Sequence, residues 1–501
     1  MSGIQEEKPI WYKRLKLEIE DVRKFKGPYV NPYIRLGAYV LITFLTGCIY
    51  WGWNGIQELL YKGGSFADLC NGQSDISFIT IGNEQYIDCG LRKSEINNLY
   101  TIAFTSHFVF SLVGGVLLDI VGPKIVFLGS QVINLTTWLL IFSIPKNKSV
   151  LIAGFFIIGL TAESSYVPLL TVSRYFPKNN SFIMTLLGSV RSLSFFVPMI
   201  LSEIFKTNFF KPESLFKIGI IYAVFGNGLA MLLGGYLLQW KFEVKETMPQ
   251  KSVELDVLDE AEISSFTSDE LIKMLNPENF KKKCLLSRMK DLIVSGFKHP
   301  QLLEFVLFLI SSTLFLTGYG FVNKAQREIF VTSDGKSAVD LFKYFNILTF
   351  LPAPLMGMMI DKIGPAYVIF ILQFSGFLFY FLITFDFYAT KVLACFCYII
   401  AGSISVSSIY CYLNKRFSHK RFGTLMGIVF VSIGAISLTN IPLYDLAVIN
   451  LKHKAPFNFR PIEIGLAVYM AVAFSIMIYL ATNAKRKQPQ HIQIESGSFC
   501  V

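Results

Sequence analysis

Glu163 and Arg191 are the residues of this chain best placed to do chemistry, because each interrupts an apolar run long enough to cross a bilayer. A charge at the centre of such a run costs about 2.5–3.5 kcal/mol on insertion scales, so it is kept where it pairs, binds or conducts. With the run at 150–170 descending and the run at 182–201 returning, Glu163 lies about nine residues and Arg191 about eleven from one membrane face, roughly 13 and 16 Å deep at 1.5 Å per residue. Similar depth allows three roles. The two can form a structural ion pair, which spares either charge the heavy penalty of being buried alone. They can act as counter-ions for a small molecule, Arg191 for a carboxylate and Glu163 for a cationic group. They can also form a pair that a ligand breaks.

Other residues add polar chemistry at membrane depth. His107 lies inside the run at 96–118 and reads either as a proton relay or as a hydrogen-bonded packing residue. Tyr50, Trp53 and Asn54 in the first apolar run match Tyr319, Phe321 and Asn323 in the seventh. These rings and amides suit contact with a small polar ligand; the alternative is an interfacial aromatic belt. Of eight cysteines, only Cys70 and Cys89 share one polar loop on the side read as extracellular, so a disulfide is expected between them. No Cys/His set has zinc spacing, and no Ser/His/Asp set, phosphate loop or nucleotide fingerprint occurs. No metal or cofactor is therefore expected.

The elements that position these residues follow from composition. The 501 residues are 53% hydrophobic and only 16% charged, against about 25% charged in soluble domains. Apolar runs near the ~20 residues that a spanning helix needs recur along the chain. They predict an all-α polytopic membrane protein with twelve transmembrane helices in two six-helix bundles. A polar N-terminal tail covers 1–34, the first bundle 35–238, a hydrophilic linker 239–300, the second bundle 301–483 and a polar tail 484–501. The linker is too short and polar to bury a catalytic core. Lys and Arg concentrate in the tails, the linker and the loops on their side, which places both termini in the cytoplasm. The net charge of +11 then reflects loops facing anionic lipid rather than a nucleic-acid partner.

The two bundles read as homologous. Gly115-Val-Leu-Leu-Asp-Ile-Val-Gly-Pro-Lys124 is echoed by Gly357-Met-Met-Ile-Asp-Lys-Ile-Gly-Pro-Ala366, with Asp119 and Asp361 separated by 242 residues. Arg174-Tyr-Phe-Pro-Lys178 is echoed by Arg416-Phe-Ser-His-Lys420 at nearly the same offset. Two motifs at one offset indicate an internal repeat. Gly115-x-x-x-Asp119-x-x-Gly122-x-Lys124 resembles the signature loop of the major facilitator superfamily, and the second copy, lacking the terminal basic residue, falls where that family carries its weaker one. The resemblance implies that Asp119, Lys124 and Asp361 are gating residues of an alternating-access transporter.

A narrower resemblance is to solute carrier family 43 and the apicomplexan amino-acid transporters. It is carried by Gly52-Trp53, Gly64-Ser-Phe-Ala-Asp-Leu-Cys70, Asn98-Leu-Tyr-Thr-Ile-Ala-Phe-Thr105, Pro354–Asp361 and Phe422-Gly-Thr-Leu-Met-Gly427. It implies an amino acid as substrate and a plasma-membrane location. A cationic amino acid, arginine or lysine, is favoured because Glu163 offers a carboxylate at cavity depth; a large neutral or aromatic amino acid is the alternative. A membrane-embedded enzyme would need a catalytic constellation. A sensor that kept the transporter fold would need a folded tail domain, where only short polar tails are read here.

Overall fold

The computed structural model describes residues 30–176, 180–206, 215–240, 302–417 and 422–486. The expected linker and most of both expected tails lie outside the described residues. The described residues of 30–240 and 308–486 form one compact unit; of a second, 243–307, only the start of the Leu302–Lys324 helix is described.

The described residues are helical nearly throughout. Among the described residues, eight helices are long and apolar enough to cross a bilayer, or nine if Tyr388–Gly402 and Ser407–Leu413, bent by 41° at their junction, count as one. Of the remaining expected spans, two are broken and one is a long helix. The first is split into Pro32–Thr46 and Trp53–Lys62 by a short 3-10 turn. The second, Gly90–Val121, is a single helix of 32 residues that begins six residues before the expected Ile96 and carries charges in its first turns. The eighth is split into Val339–Leu348 and Ala353–Ile363 beside Pro352.

The two repeat turns have the same conformation. Gly122 ends one helix with φ 93° and ψ 162°, and Gly364 ends another with φ 90° and ψ 159°. Side chains other than glycine's rarely tolerate that region. Pro123 and Pro365 then open the next helices, where a missing N–H costs nothing. The repeat is thus a matter of backbone geometry as well as letters.

The segment expected as a plain polar loop, 61–96, is more ordered than that. Ser77–Ile81 pairs antiparallel with Glu84–Asp88 across Gly82, and Cys70 and Cys89 are joined by a disulfide. Arg92 is buried there; its Nε donates to the Ser65 carbonyl (2.8 Å) and its Nη2 to the Tyr61 carbonyl (3.0 Å). These bonds tie the start of the Gly90–Val121 helix to the end of the Trp53–Lys62 helix and the turn after it.

Close packing without a hydrophobic drive depends on small residues in membrane helices. The tightest case is Gly159, where a Cβ would fall 1.9 Å from Ser106 Oγ and 2.2 Å from the Ala103 carbonyl oxygen. That contact presses Lys148–Tyr166, which carries Glu163, against Gly90–Val121, which carries His107. Gly159→Leu is expected to cost at least the ~1–3 kcal/mol of an overpacked core. It should lower the thermal midpoint of the purified protein, whereas Gly465→Leu, with open space at its Cβ, should leave the midpoint unchanged.

Candidate functional site

A cavity of about 890 Å³ runs through the compact unit. Its deep wall carries Trp51, Phe195 and Tyr319, and its polar flank Cys48, His107, Glu163 and Arg191. Its mouth is bordered by Gly115, Leu118, Arg174 and Lys415, close to the Gly122 and Gly364 turns, so it reaches the helix ends on the face of those turns.

The flank is one connected cluster. Glu163 Oε1 accepts from Arg191 Nη1 at 2.8 Å and from His107 Nε2 at 2.6 Å. With Nε2 donating, a neutral imidazole accepts the Tyr50 hydroxyl at Nδ1, 2.7 Å away. Arg191 Nη2 donates to Cys48 Sγ at 2.9 Å, and the guanidinium lies 4.2 Å over the Tyr166 ring. All these side chains are buried. Two atoms of the cluster are left over: Glu163 Oε2 and Arg191 Nε are buried with no hydrogen-bond partner. A buried acceptor and a buried donor without partners are costly to keep, and both belong to residues that line the cavity.

Of the seven residues read from the sequence as ligand contacts, Glu163, Arg191 and Tyr319 line the cavity. The structure places the other four elsewhere. Tyr50 is spent on His107. Trp53 Nε1 donates to Asn97 Oδ1 at 2.8 Å, behind the wall. Asn323 binds the Tyr398 hydroxyl (2.8 Å) and Asn346 Nδ2 (3.0 Å). Asn54 accepts from Arg327 Nε (3.1 Å) on the disulfide-bearing face. A 3-10 turn interrupts the first span at Ile49–Trp51, and Trp51, not Trp53, lines the cavity. Of the gating candidates, Asp361 Oδ1 is 3.0 Å from Lys415 Nζ, and Lys124 Nζ lies 4.6 Å over the Trp240 ring. The Asp119 side chain lies outside the described residues.

Sequence reasoning missed an ionic network away from the cavity. On the disulfide-bearing face, Glu58 accepts from Arg327 Nη2 (3.1 Å), Lys206 Nζ (2.9 Å) and Ser202 Oγ (2.6 Å). Lys343 Nζ stands 3.6 Å from both Glu58 and Glu203. Nearby, Lys324 Nζ donates to Asn98 Oδ1 (2.7 Å) and to the Asn440 carbonyl (3.0 Å). These contacts join the two halves of the sequence on the face opposite the cavity mouth. The only prior signal was a Glu in the first span, Glu58, with basic residues past the seventh.

The cluster makes a stability prediction. Arg191→Gln leaves the Glu163 carboxylate without its guanidinium and should destabilise by about 3–5 kcal/mol. The double change Glu163→Gln with Arg191→Gln should recover most of that loss in a thermal unfolding measurement. An Arg191→Gln midpoint equal to that of the unchanged protein would show that the pair does not stabilise the fold.

Comparison with known proteins agrees with this architecture. A crystal structure of tetrameric PepTSo2 superposes with a TM-score of 0.60 at 12% identity, covering 92% of this chain and 100% of that one, which bears on the fold alone. Cationic amino acid transporter 8 of Plasmodium berghei is 28% identical over 498 residues, 94% of this chain and 93% of the relative. Arginine transporter 1 of Toxoplasma gondii is 27% identical over 497 residues, 92% of this chain and 91% of the relative. Aromatic and large neutral amino acid transporter 5-3 of Toxoplasma gondii is 25% identical over 469 residues, 92% of this chain and 85% of the relative. The family profile of the Major Facilitator Superfamily matches residues 65–442, and the chain, a multi-pass membrane protein, belongs to that transporter family.

Proposed function

We propose that the protein moves amino acids across the plasma membrane by alternating access, cationic ones (arginine or lysine) above others, with both termini in the cytoplasm. The supporting observation is Glu163: it is among the residues that line the cavity, and its Oε2 is buried and bound by no donor of the protein. A guanidinium or ammonium group must shed water to enter the cavity. A fixed carboxylate replaces that water, and does so more strongly where the dielectric is low. Arg191 and His107 hold the other oxygen, so Glu163 is already oriented before a ligand arrives. The names of the Plasmodium and Toxoplasma relatives support the substrate class. The excess of Lys and Arg on the side of the tails and linker supports the orientation. In that orientation the cavity opens to the cytoplasm, and the Glu58–Arg327–Lys343 network closes the outer side. Asp119, Lys124 and Asp361 then belong to the inner gate that closes when the outer one opens.

A second reading has its own support. The deep wall is aromatic, with Trp51 stacked on Phe195 at 5.9 Å and tilted against Tyr319 at 5.6 Å between ring centroids. Such a wall suits a large neutral or aromatic side chain, as the name of one Toxoplasma relative suggests.

Glu163→Gln separates the two. It keeps the volume and removes the charge. Uptake of radiolabelled arginine or lysine, corrected for surface expression, should fall about a hundredfold, within the 2–5 kcal/mol range for a buried charge contact. Neutral amino acids should lose much less. A ratio of cationic to neutral uptake that does not change would reject the cationic role and put the neutral reading first.

A further inference from the structure

The internal repeat places an unusual segment opposite Glu163. The offset of 242 that separates Asp119 from Asp361 takes Glu163 to Ser405. In the first half the helix runs unbroken through Glu163 to Tyr166. In the second half the helix stops at Gly402 and a new one starts at Ser407. Residues 402–407 all line the cavity.

Breaking a helix frees backbone donors. Among the described residues, the N–H groups of Ile404, Ser405, Val406 and Ser407 meet no acceptor, and normal pairing resumes with Ser408 N–H to the Ile404 carbonyl at 2.7 Å. No side chain caps this start, and the Ser407 hydroxyl makes no hydrogen bond of its own. Four free N–H groups at the start of a ten-residue helix carry the positive end of its dipole.

A second observation leaves another donor without an acceptor nearby. Arg191 is 8% exposed, yet its Nε has no acceptor. Gly188, one turn before Arg191 on the same helix, meets the break directly: a Cβ there would lie 2.7 Å from Ser407 Oγ and 3.8 Å from the Tyr166 hydroxyl. Tyr166 is the ring under the Arg191 guanidinium. A buried cationic donor and a row of uncapped backbone donors therefore border one stretch of cavity wall.

We infer that the break at 402–407 is the anion subsite of the cavity and takes the α-carboxylate of the transported amino acid on the N–H groups of residues 404–407, the Ser407 hydroxyl and Arg191 Nε. The inference rests on the amino-acid reading above and adds the second pole of the substrate. The repeat-related walls then divide the work: the first half presents a carboxylate to the cation, and the second presents donors to the anion.

The test is competition against uptake of radiolabelled arginine by arginine, by its amide and by agmatine, which lacks the carboxylate. Charge-assisted hydrogen bonds of the usual strength predict that arginine competes at least about tenfold better than either analogue. Ser407→Asp puts a negative charge on the subsite and should shrink that ratio towards one or invert it in favour of agmatine. Ser407→Ala, which removes only the hydroxyl, should give a smaller fall. Equal competition by the three compounds in the unchanged protein would overturn the inference even if Ser407→Asp does not reach the membrane, and so would a ratio that survives Ser407→Asp. Absence of uptake across a full amino-acid panel would instead overturn the amino-acid reading, and the subsite with it.

Discussion

The 2.8 Å contact between Arg191 and Glu163 is the interaction on which the rest of the cavity depends. Neither charge is tolerable alone inside a bundle of apolar helices. Together they are close to neutral, but only while their geometry is held. The surrounding residues do that holding. His107 fixes the same carboxylate oxygen, Tyr50 fixes His107, Cys48 takes a second guanidinium nitrogen, and Tyr166 lies under the guanidinium plane. Gly159 brings the two helices carrying Glu163 and His107 together. The result is a connected cluster with one buried acceptor and one buried donor left over, both on residues that line the cavity. A site held in this way gives a ligand oriented partners without first having to order them.

The two halves share a plan but not a chemistry. Gly122 and Gly364 adopt nearly the same positive-φ turn, so the scaffold repeats. At the depth of the cluster the halves diverge into a charged, unbroken helix on one side and an uncapped, serine-rich break on the other. Polar contacts between the halves gather on the disulfide-bearing face, around Glu58, Arg327 and Lys343, while the cavity reaches the opposite face. Rocking about the cluster would have to exchange that ionic closure for one at the repeat turns. The halves need not separate at the cluster itself, because Glu163 and Arg191 belong to the same half.

What was legible in the sequence was what short-range physics imposes. The repeat turns were readable because only glycine takes that conformation and proline then favours the next helix. The match in depth of Glu163 and Arg191 followed from the rise of a helix. The helical membrane architecture followed from composition. What was not legible depended on breaks and distant partners. The irregular turn at 47–52 breaks the first span, and Trp51, within it, lines the cavity where Trp53 does not. The hairpin at 77–88 was masked by its polar residues. Glu58 and Arg327 are 269 residues apart, and nothing local to either announces the other. His107 was noticed, but its role as the second holder of Glu163 required the structure. The free donors at 404–407 were invisible because they are backbone atoms, exposed by a bend that no single residue dictates.

The central claim is that Glu163 is the counter-ion for the substrate's cationic group rather than only a partner for Arg191. Its most direct test is an electron cryo-microscopy map of the purified protein with arginine bound. The account predicts the guanidinium of the ligand within about 3 Å of Glu163 Oε2, with Arg191 and His107 still on Oε1. Ligand density elsewhere in the cavity, with both carboxylate oxygens of Glu163 held by the protein's own residues, would contradict it.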